Sequence, residues 1–112
     1  MENTFTFTLS YIKVENCHFE PHRYSNTRNL ALVVVDDEGE QVAICSVNPR
    51  HYKGDDVLCV KDWSENEGMV DFLVKQGVIK NEYDWFNSEE SGFVVINAYK
   101  LTQKGKDIFK GI

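Results

Sequence analysis

Two imidazoles and one thiol lie close together in the first quarter of the chain. Cys17, His18 and His22 supply the nitrogen and sulfur donors that zinc sites use. A structural zinc site needs four ligands, and no C-x-x-C pair completes this set. We therefore expect the segment from Cys17 to Thr27 to be a polar loop rather than a metal centre. We also expect the protein to use no cofactor.

A second group with possible chemistry is acidic. Asp62, Glu65 and Glu67 carry carboxylates that would suit a divalent cation or acid–base catalysis. They also surround Ser64, and a serine followed three residues later by a glutamate is typical of a helix capping box. Carboxylates are further stabilising at the positive N-terminal end of a helix. The pattern favours a structural role, with an enzyme or metal protein as an alternative.

A third group combines aromatic rings with carboxylates. Aromatic side chains provide contact area in protein interfaces, and a charged rim orients the partner. We predict an acidic loop from Asn81 to Ser91 that binds a protein partner. The alternative is that its rings fold back to cover the sheet. The partner-binding candidates are Tyr83, Asp84, Trp85, Phe86, Glu89 and Glu90.

The net charge limits the classes of partner. The 112 residues include 12 Lys and Arg against 18 Asp and Glu, a formal charge of -6. Such a chain is repelled by nucleic-acid phosphates and by anionic membrane surfaces. We therefore predict a protein partner or a homodimer, and no direct contact with nucleic acid or membrane. The lysine-rich segment after Leu101 is expected to neutralise part of the acidic body.

Cysteine usage and hydrophobic runs predict a cytoplasmic protein. Cys17, Cys45 and Cys59 form an odd set without paired spacing, which is typical of reduced thiols. The first residues lack the basic and apolar regions of a secretory signal. The longest apolar run, Leu30 to Val35, is far too short to span a bilayer.

Alternating patterns and turn residues predict the strands. The segment from Thr4 to Ile12 alternates apolar with hydroxyl side chains, the period of a half-buried strand. Leu30 to Val35 and Gln41 to Val47 flank an acidic turn with a glycine, so they predict a hairpin. Because both faces of the second run are largely apolar, we expect it in the middle of a sheet. Further strands are expected at Val57 to Val60 and Gly92 to Leu101.

A wide apolar face predicts one main helix, from about Glu65 to Gln76, with Gly77 at its C-terminal end. Thr102 is placed to cap a short final helix, although Gly105 weakens that helix. The fold class is therefore α+β in a single domain over residues 1–112. We expect a mainly antiparallel sheet of four to five strands, with the main helix packed on one face.

Several phrases of the sequence are similar to a domain-of-unknown-function family of short bacterial proteins carried on plasmids, phages and conjugative elements. The similarity extends from about Asn29 to Leu101, and its most distinctive phrase is Asp-Trp-Ser-Glu-Asn-Glu-Gly at 62–68. The segment 72–79 and the strand that begins at Gly92 resemble the rest of that pattern. The resemblance implies no activity, cofactor or catalytic residue, but it favours a role in interaction with a host.

Two functional hypotheses follow. The first is a small non-enzymatic binding or regulatory domain that acts through a protein partner. The second is an acidic inhibitor whose carboxylates mimic nucleic-acid phosphates in a basic groove of a host defence enzyme. The second requires three acidic segments to converge on one face: 36–40, 55–67 and 82–90.

Overall fold

A computed structural model describes residues 4–92 and 94–112, with the side chain of Phe86 outside the described part. Within it the chain forms seven strands and two α-helices: β1 Phe5–Leu9, β2 Ile12–Arg23, β3 Leu30–Val35, β4 Gln41–Ile44, β5 Val57–Val60, α1 Met69–Lys75, β6 Ile79–Ser91, β7 Val94–Leu101 and α2 Gln103–Ile108. None of the described helices has the length and apolar composition needed to cross a membrane.

The strands divide between two antiparallel sheets. One has the order β1-β2-β3-β4, and the other has the order β5-β7-β6. Helix α1 packs on β1 and β6, while α2 packs on β2 and β7. The predicted α+β class, with antiparallel strands and a main helix on one face, is confirmed. The strands are more numerous than expected because two segments read as loops are strands.

The run from Gln41 to Val47 connects the two sheets by changing its pairing partner. The Cys45 amide donates to the carbonyl oxygen of Leu32 on β3 at 2.8 Å. Two residues later, the Val47 amide donates to the carbonyl oxygen of Cys59 on β5 at 3.0 Å. The predicted hairpin is confirmed, and its second run does lie between two neighbours, although these belong to different sheets.

The buried hydroxyl of Ser46 makes this change of pairing partner possible. The Ser46 hydroxyl accepts a hydrogen bond from the Leu32 amide at 3.1 Å and lies 3.0 Å from the hydroxyl of Tyr24. Ser46 thereby supplies the acceptor that a strand carbonyl would otherwise provide. Because an unpaired buried amide is costly, this side chain allows the backbone to leave β3 without losing a hydrogen bond.

The prediction of a loop from Cys17 to Thr27 is wrong up to Arg23, since this stretch belongs to β2. The first half of β2 pairs with β1, and the second half pairs with β3. Pro21 lies opposite Leu32 in the second half, where β2 has a neighbour on one side only. Proline is tolerated at such an edge because its missing amide hydrogen is not needed there.

The main helix is confirmed at Met69–Lys75, but its predicted start near Glu65 and the Ser64–Glu67 capping box are wrong. A 3-10 turn covers Ser64–Asn66, and α1 begins at Met69 after Gly68, which adopts a φ of 96°. The capping group is Asp62, whose Oδ1 accepts from the amides of Gly68 at 3.1 Å and Val70 at 3.0 Å. A carboxylate therefore stabilises the helix start, as expected, but from a different position.

The predicted C-terminal signal of α1 and the predicted N-terminal cap of α2 are confirmed. Gly77 has a φ of 76°, and the Val78 amide donates to the Leu73 carbonyl oxygen, which ends α1. The Thr102 hydroxyl accepts from the Gly105 amide at 3.0 Å and caps α2. Gly105 also allows α2 to pack closely on Val78, because a Cβ at position 105 would lie 2.2 Å from the Val78 carbonyl oxygen.

One main core joins the sheets and helices, and a smaller core lies on the other face of β5 and β7. The main core draws on β1, β2, β3, β5, β7 and both helical segments. The smaller core contains Val57, Cys59, Ile96 and Ala98, with Trp63 packed against it. Because β5 is covered on both faces, all four of its residues are buried.

Candidate functional site

The predicted aromatic and acidic segment forms β6, the edge strand of the three-stranded sheet, and not a loop. Its register against β7 shifts twice, between Ile79 and Tyr83 and again between Asp84 and Glu89. The second shift leaves residues 85–88 opposite Asn97 alone, so this part of β6 is a bulge. The local sequence is typical of a loop because its polar residues form the hydrogen bonds of this bulge.

Two of the predicted aromatic side chains face solvent. Tyr83 is 49% exposed and Trp85 is 71% exposed. The alternative that Trp85 folds back over the sheet is therefore wrong. The side chain of Phe86 lies outside the described residues.

The hydroxyl and amide groups of the bulge hold its shape. The Asn87 amide donates to the Asp84 carboxylate at 2.9 Å, and the Ser88 hydroxyl donates to the Asp84 carbonyl oxygen at 3.1 Å. The Ala98 amide of β7 in turn donates to the Ser88 hydroxyl at 3.4 Å. Asp84 therefore has a structural role beside the exposed rings.

The two predicted glutamates have different environments. Glu90 is exposed, whereas Glu89 forms a mostly buried ion pair with Lys53 at 2.9 Å and accepts from the Arg50 amide at 3.0 Å. Burial alone would raise the pKa of Glu89, but the Arg50 amide and the Lys53 ammonium outweigh it and lower the pKa below its usual value. Glu89 thus ties β6 to the loop before β5, while Glu90 remains available at the surface.

Two residues of β7 that the sequence analysis did not single out lie beside the exposed rings: Val95, which is exposed, and Tyr99, which is half-buried against the main core. Tyr99 lies opposite Tyr83, with the ring centroids 6.0 Å apart in an edge-to-face arrangement. Val95 is 53% exposed and lies an even number of residues from Tyr99, hence on the same face of β7. The sequence does contain a signal for this, since Val95, Asn97 and Tyr99 alternate with the buried Ile96 and Ala98. We call Tyr83, Trp85, Val95 and Tyr99 the aromatic surface.

Carboxylates surround the aromatic surface. The pKa of Tyr99 is raised, mainly by burial and further by the negative charges of Asp62 and Asp71. Glu82 and Glu90 are exposed on β6 itself. The edges of this surface are therefore electronegative, which favours approach of positively charged groups.

The predicted zinc donors are not brought together. Cys17 is fully buried, whereas the His22 Nε2 atom lies 2.8 Å from a Glu20 carboxylate oxygen on the exposed side of β2. Among residues 4–92 and 94–112, no cluster of three or more His, Cys, Asp or Glu residues is arranged to hold a metal ion.

Two of the three carboxylates predicted near α1 form structural contacts, whereas Glu67 is exposed. Asp62 caps the helix, and Glu65 pairs with Lys61 at 2.6 Å. The side chain of Lys61 holds the pKa of Glu65 below its usual value. Lys61 and Glu65 line an open cleft of about 450 Å3, where the Tyr11 hydroxyl donates to the Glu65 carbonyl oxygen.

The cysteines do not present reactive thiolates. Burial raises the pKa of Cys45, and burial raises that of Cys59 to about 12. A thiol with so high a pKa is protonated at neutral pH and is a poor nucleophile.

The three acidic segments required for mimicry of nucleic acid do not share one end of the molecule. The turn at 36–40 follows the Val35 end of β3. Asp55 pairs with Arg23, which lies opposite Leu30 at the other end of β3. A six-residue strand separates its ends by roughly 17–20 Å, so these two segments lie apart along the sheet, and the mimicry hypothesis stays a prediction.

Comparisons with protein-family models, with curated proteins and with solved structures found no match to this chain.

Proposed function

We propose that this protein is a non-enzymatic binding domain that recognises a protein partner through the aromatic surface of β6 and β7. The observation that carries this proposal is the concentration of exposed apolar side chains on one hairpin. Seven large hydrophobic side chains are exposed in the described part of the chain, and three of them are Tyr83, Trp85 and Val95. Exposed rings of this kind are typical of interface centres, where their burial supplies most of the binding energy.

The electrostatic surroundings favour a partner with a basic rim. Asp62 and Asp71 act on the ring of Tyr99, and Glu82 and Glu90 are exposed nearby on β6. A second copy of a chain with a net charge of -6 would place like charges against one another. A different protein with lysine or arginine around an apolar patch fits better than a homodimer.

The cellular setting of this interaction is part of the same proposal. Three thiols without a disulfide in the described structure are compatible with the reducing cytoplasm. The resemblance to proteins of mobile elements stays a prediction, and it favours a host protein as the partner.

The test is to identify the partner and then measure its affinity for matched variants. Wild-type protein is immobilised, bound proteins from the host cell are identified, and the purified partner is titrated by calorimetry. We expect the double variant Tyr83→Ala, Trp85→Ala to weaken binding at least 30-fold, since interface hot spots cost about 2 kcal/mol or more each. Tyr11→Ala is the matched control, because Tyr11 is 63% exposed in the turn between β1 and β2, outside the β6–β7 hairpin.

Three outcomes would refute the proposal. One is a partner that binds the double variant as tightly as the wild type. Another is a partner whose affinity falls equally with the Tyr11 control. The third is sedimentation equilibrium that shows a homodimer which Trp85→Ala dissociates.

A further inference from the structure

A cleft of about 360 Å3 on this acidic protein is lined by lysines. It lies between the loop before β5, the start of β6, the end of β7 and helix α2. Its lining includes Lys53, Lys80, Lys100 and Lys106. A third of the 12 basic residues of a chain with a net charge of -6 thus lies at one cleft.

Two of these lysines come from neighbouring strands. Ile79 on β6 pairs with Leu101 on β7, and the register shift between Ile79 and Tyr83 leaves residues 80–82 opposite Lys100. Lys80 and Lys100 both line the cleft, and like charges at one cleft repel each other.

The described residues neutralise these charges only in part. Lys100 has a carboxylate oxygen of Glu82 at 4.0 Å, the limit of an ion pair. Lys80 and Lys106 form no ion pair with any described residue. Lys53 is the exception, because Glu89 binds it at 2.9 Å.

Three aspartates also line the cleft, and two of them have partners of their own. Asp55 is engaged by the guanidinium of Arg23 and the hydroxyl of Tyr52, which lower its pKa. Asp84 accepts from the Asn87 amide. Asp56 remains as the one lining carboxylate without a hydrogen bond or ion pair to its side chain within the described chain.

We propose that this cleft binds the phosphoryl group of a phosphate or phosphate monoester, with Lys80, Lys100 and Lys106 as its ligands. A dianionic oxyanion with several acceptor oxygens can accept from three ammonium groups at once. The proposal is independent of the aromatic surface, and neither its success nor its failure affects that surface.

The test is titration of the whole protein with inorganic phosphate by NMR at low ionic strength, with chloride as the control anion. We expect a dissociation constant on the order of 1 mM and shifts confined to amides around the cleft. The double variant Lys80→Gln, Lys106→Gln should lose at least tenfold in affinity. Lys13→Gln, Lys75→Gln is the matched control, since both lysines are exposed elsewhere and each double variant takes the net charge from -6 to -8.

A second arm of the experiment separates the source of the phosphoryl group. A short peptide with one phosphoserine is titrated beside inorganic phosphate. Tighter binding of the peptide by tenfold or more assigns the cleft to phosphorylated protein, and equal binding assigns it to the free anion.

A stability measurement gives an independent readout. Phosphate should raise the thermal midpoint of Lys80→Gln less than that of the wild-type protein, because one of its ligands is gone. Equal loss of affinity in both double variants would overturn the proposal, since it would indicate a general charge effect. So would the absence of phosphate shifts at the cleft of the wild-type protein, or a thermal midpoint that phosphate raises equally in Lys80→Gln and in the wild type.

Discussion

Replacement of Gly105 by alanine has two opposite effects on the stability of α2. By helix propensity alone, alanine in place of glycine stabilises a helix by about 0.5–1 kcal/mol. The new Cβ would, however, lie 2.2 Å from the Val78 carbonyl oxygen and 3.0 Å from a methyl carbon of Leu101. The first contact is with backbone, so α2 must move by about 1 Å for ordinary packing to return.

The packing effect should be the larger one. Added atoms in a filled site typically cost about 1–3 kcal/mol, and the helix preference offsets part of that. We expect Gly105→Ala to lower the free energy of unfolding by about 0.5–2 kcal/mol, with a thermal midpoint lower by several degrees. Urea unfolding followed by circular dichroism measures this directly.

Lys106→Ala is the control for this measurement, because Lys106 is exposed on the same helix. Its effect should stay within about 0.5 kcal/mol, as for most surface substitutions. A Gly105→Ala protein that is more stable than the wild type would refute the close packing of α2 on Val78.

Two further substitutions test contacts that position the aromatic surface. Asp62→Ala removes the acceptor for the amides of Gly68 and Val70, so it should destabilise the protein by about 1 kcal/mol in urea unfolding, whereas Asp71→Ala on the exposed face of α1 should not. Glu89 has a lowered pKa in the folded protein, so its contribution to stability is present above its usual value of 4.5 and is lost as the pH falls through the folded-state value. Glu89→Gln should therefore lower stability at pH 7 more than at pH 3, and an equal loss at both pH values would contradict the ion pair with Lys53.

The elements that the sequence predicts well are those with local signals. The acidic turn between β3 and β4 is fixed by its own residues, since Asp36 accepts from the amides of Glu38 and Glu40. Gly77 ends α1 and Thr102 caps α2 for equally local reasons. Such signals need no knowledge of what packs against the element.

The strands that the sequence misses owe their structure to their neighbours. β6 contains few aliphatic residues, and it is extended because β7 supplies its hydrogen bonds and because Lys53 binds Glu89. The capping carboxylate of α1 lies six residues before Gly68, across an intervening 3-10 turn. Contacts that depend on such bends follow from the three-dimensional path of the chain, which local spacing does not encode.

The sequence predicts which residues make up the candidate site better than it predicts the role of each one. Aromatic and acidic residues in one segment indicate a surface, and Tyr83, Trp85 and Glu90 are exposed. The spacing of residues in the sequence does not reveal that Asp84 and Glu89 instead hold β6 in place. Nor could it pair Tyr83 with Tyr99, because the register shifts of β6 decide that contact.

The two proposed sites respond to the same charge change in opposite directions, which distinguishes them experimentally. Removing the charges of Lys80 and Lys106 makes the whole protein more negative. A basic partner of the aromatic surface should then associate faster at low salt, because electrostatic steering depends on the summed field of the protein. Phosphate binding at the lysine cleft should fall with the same variant, because its direct ligands are gone. If both interactions weakened together, the aromatic surface and the lysine cleft would not be independent, and a single anionic partner that spans them would replace both proposals.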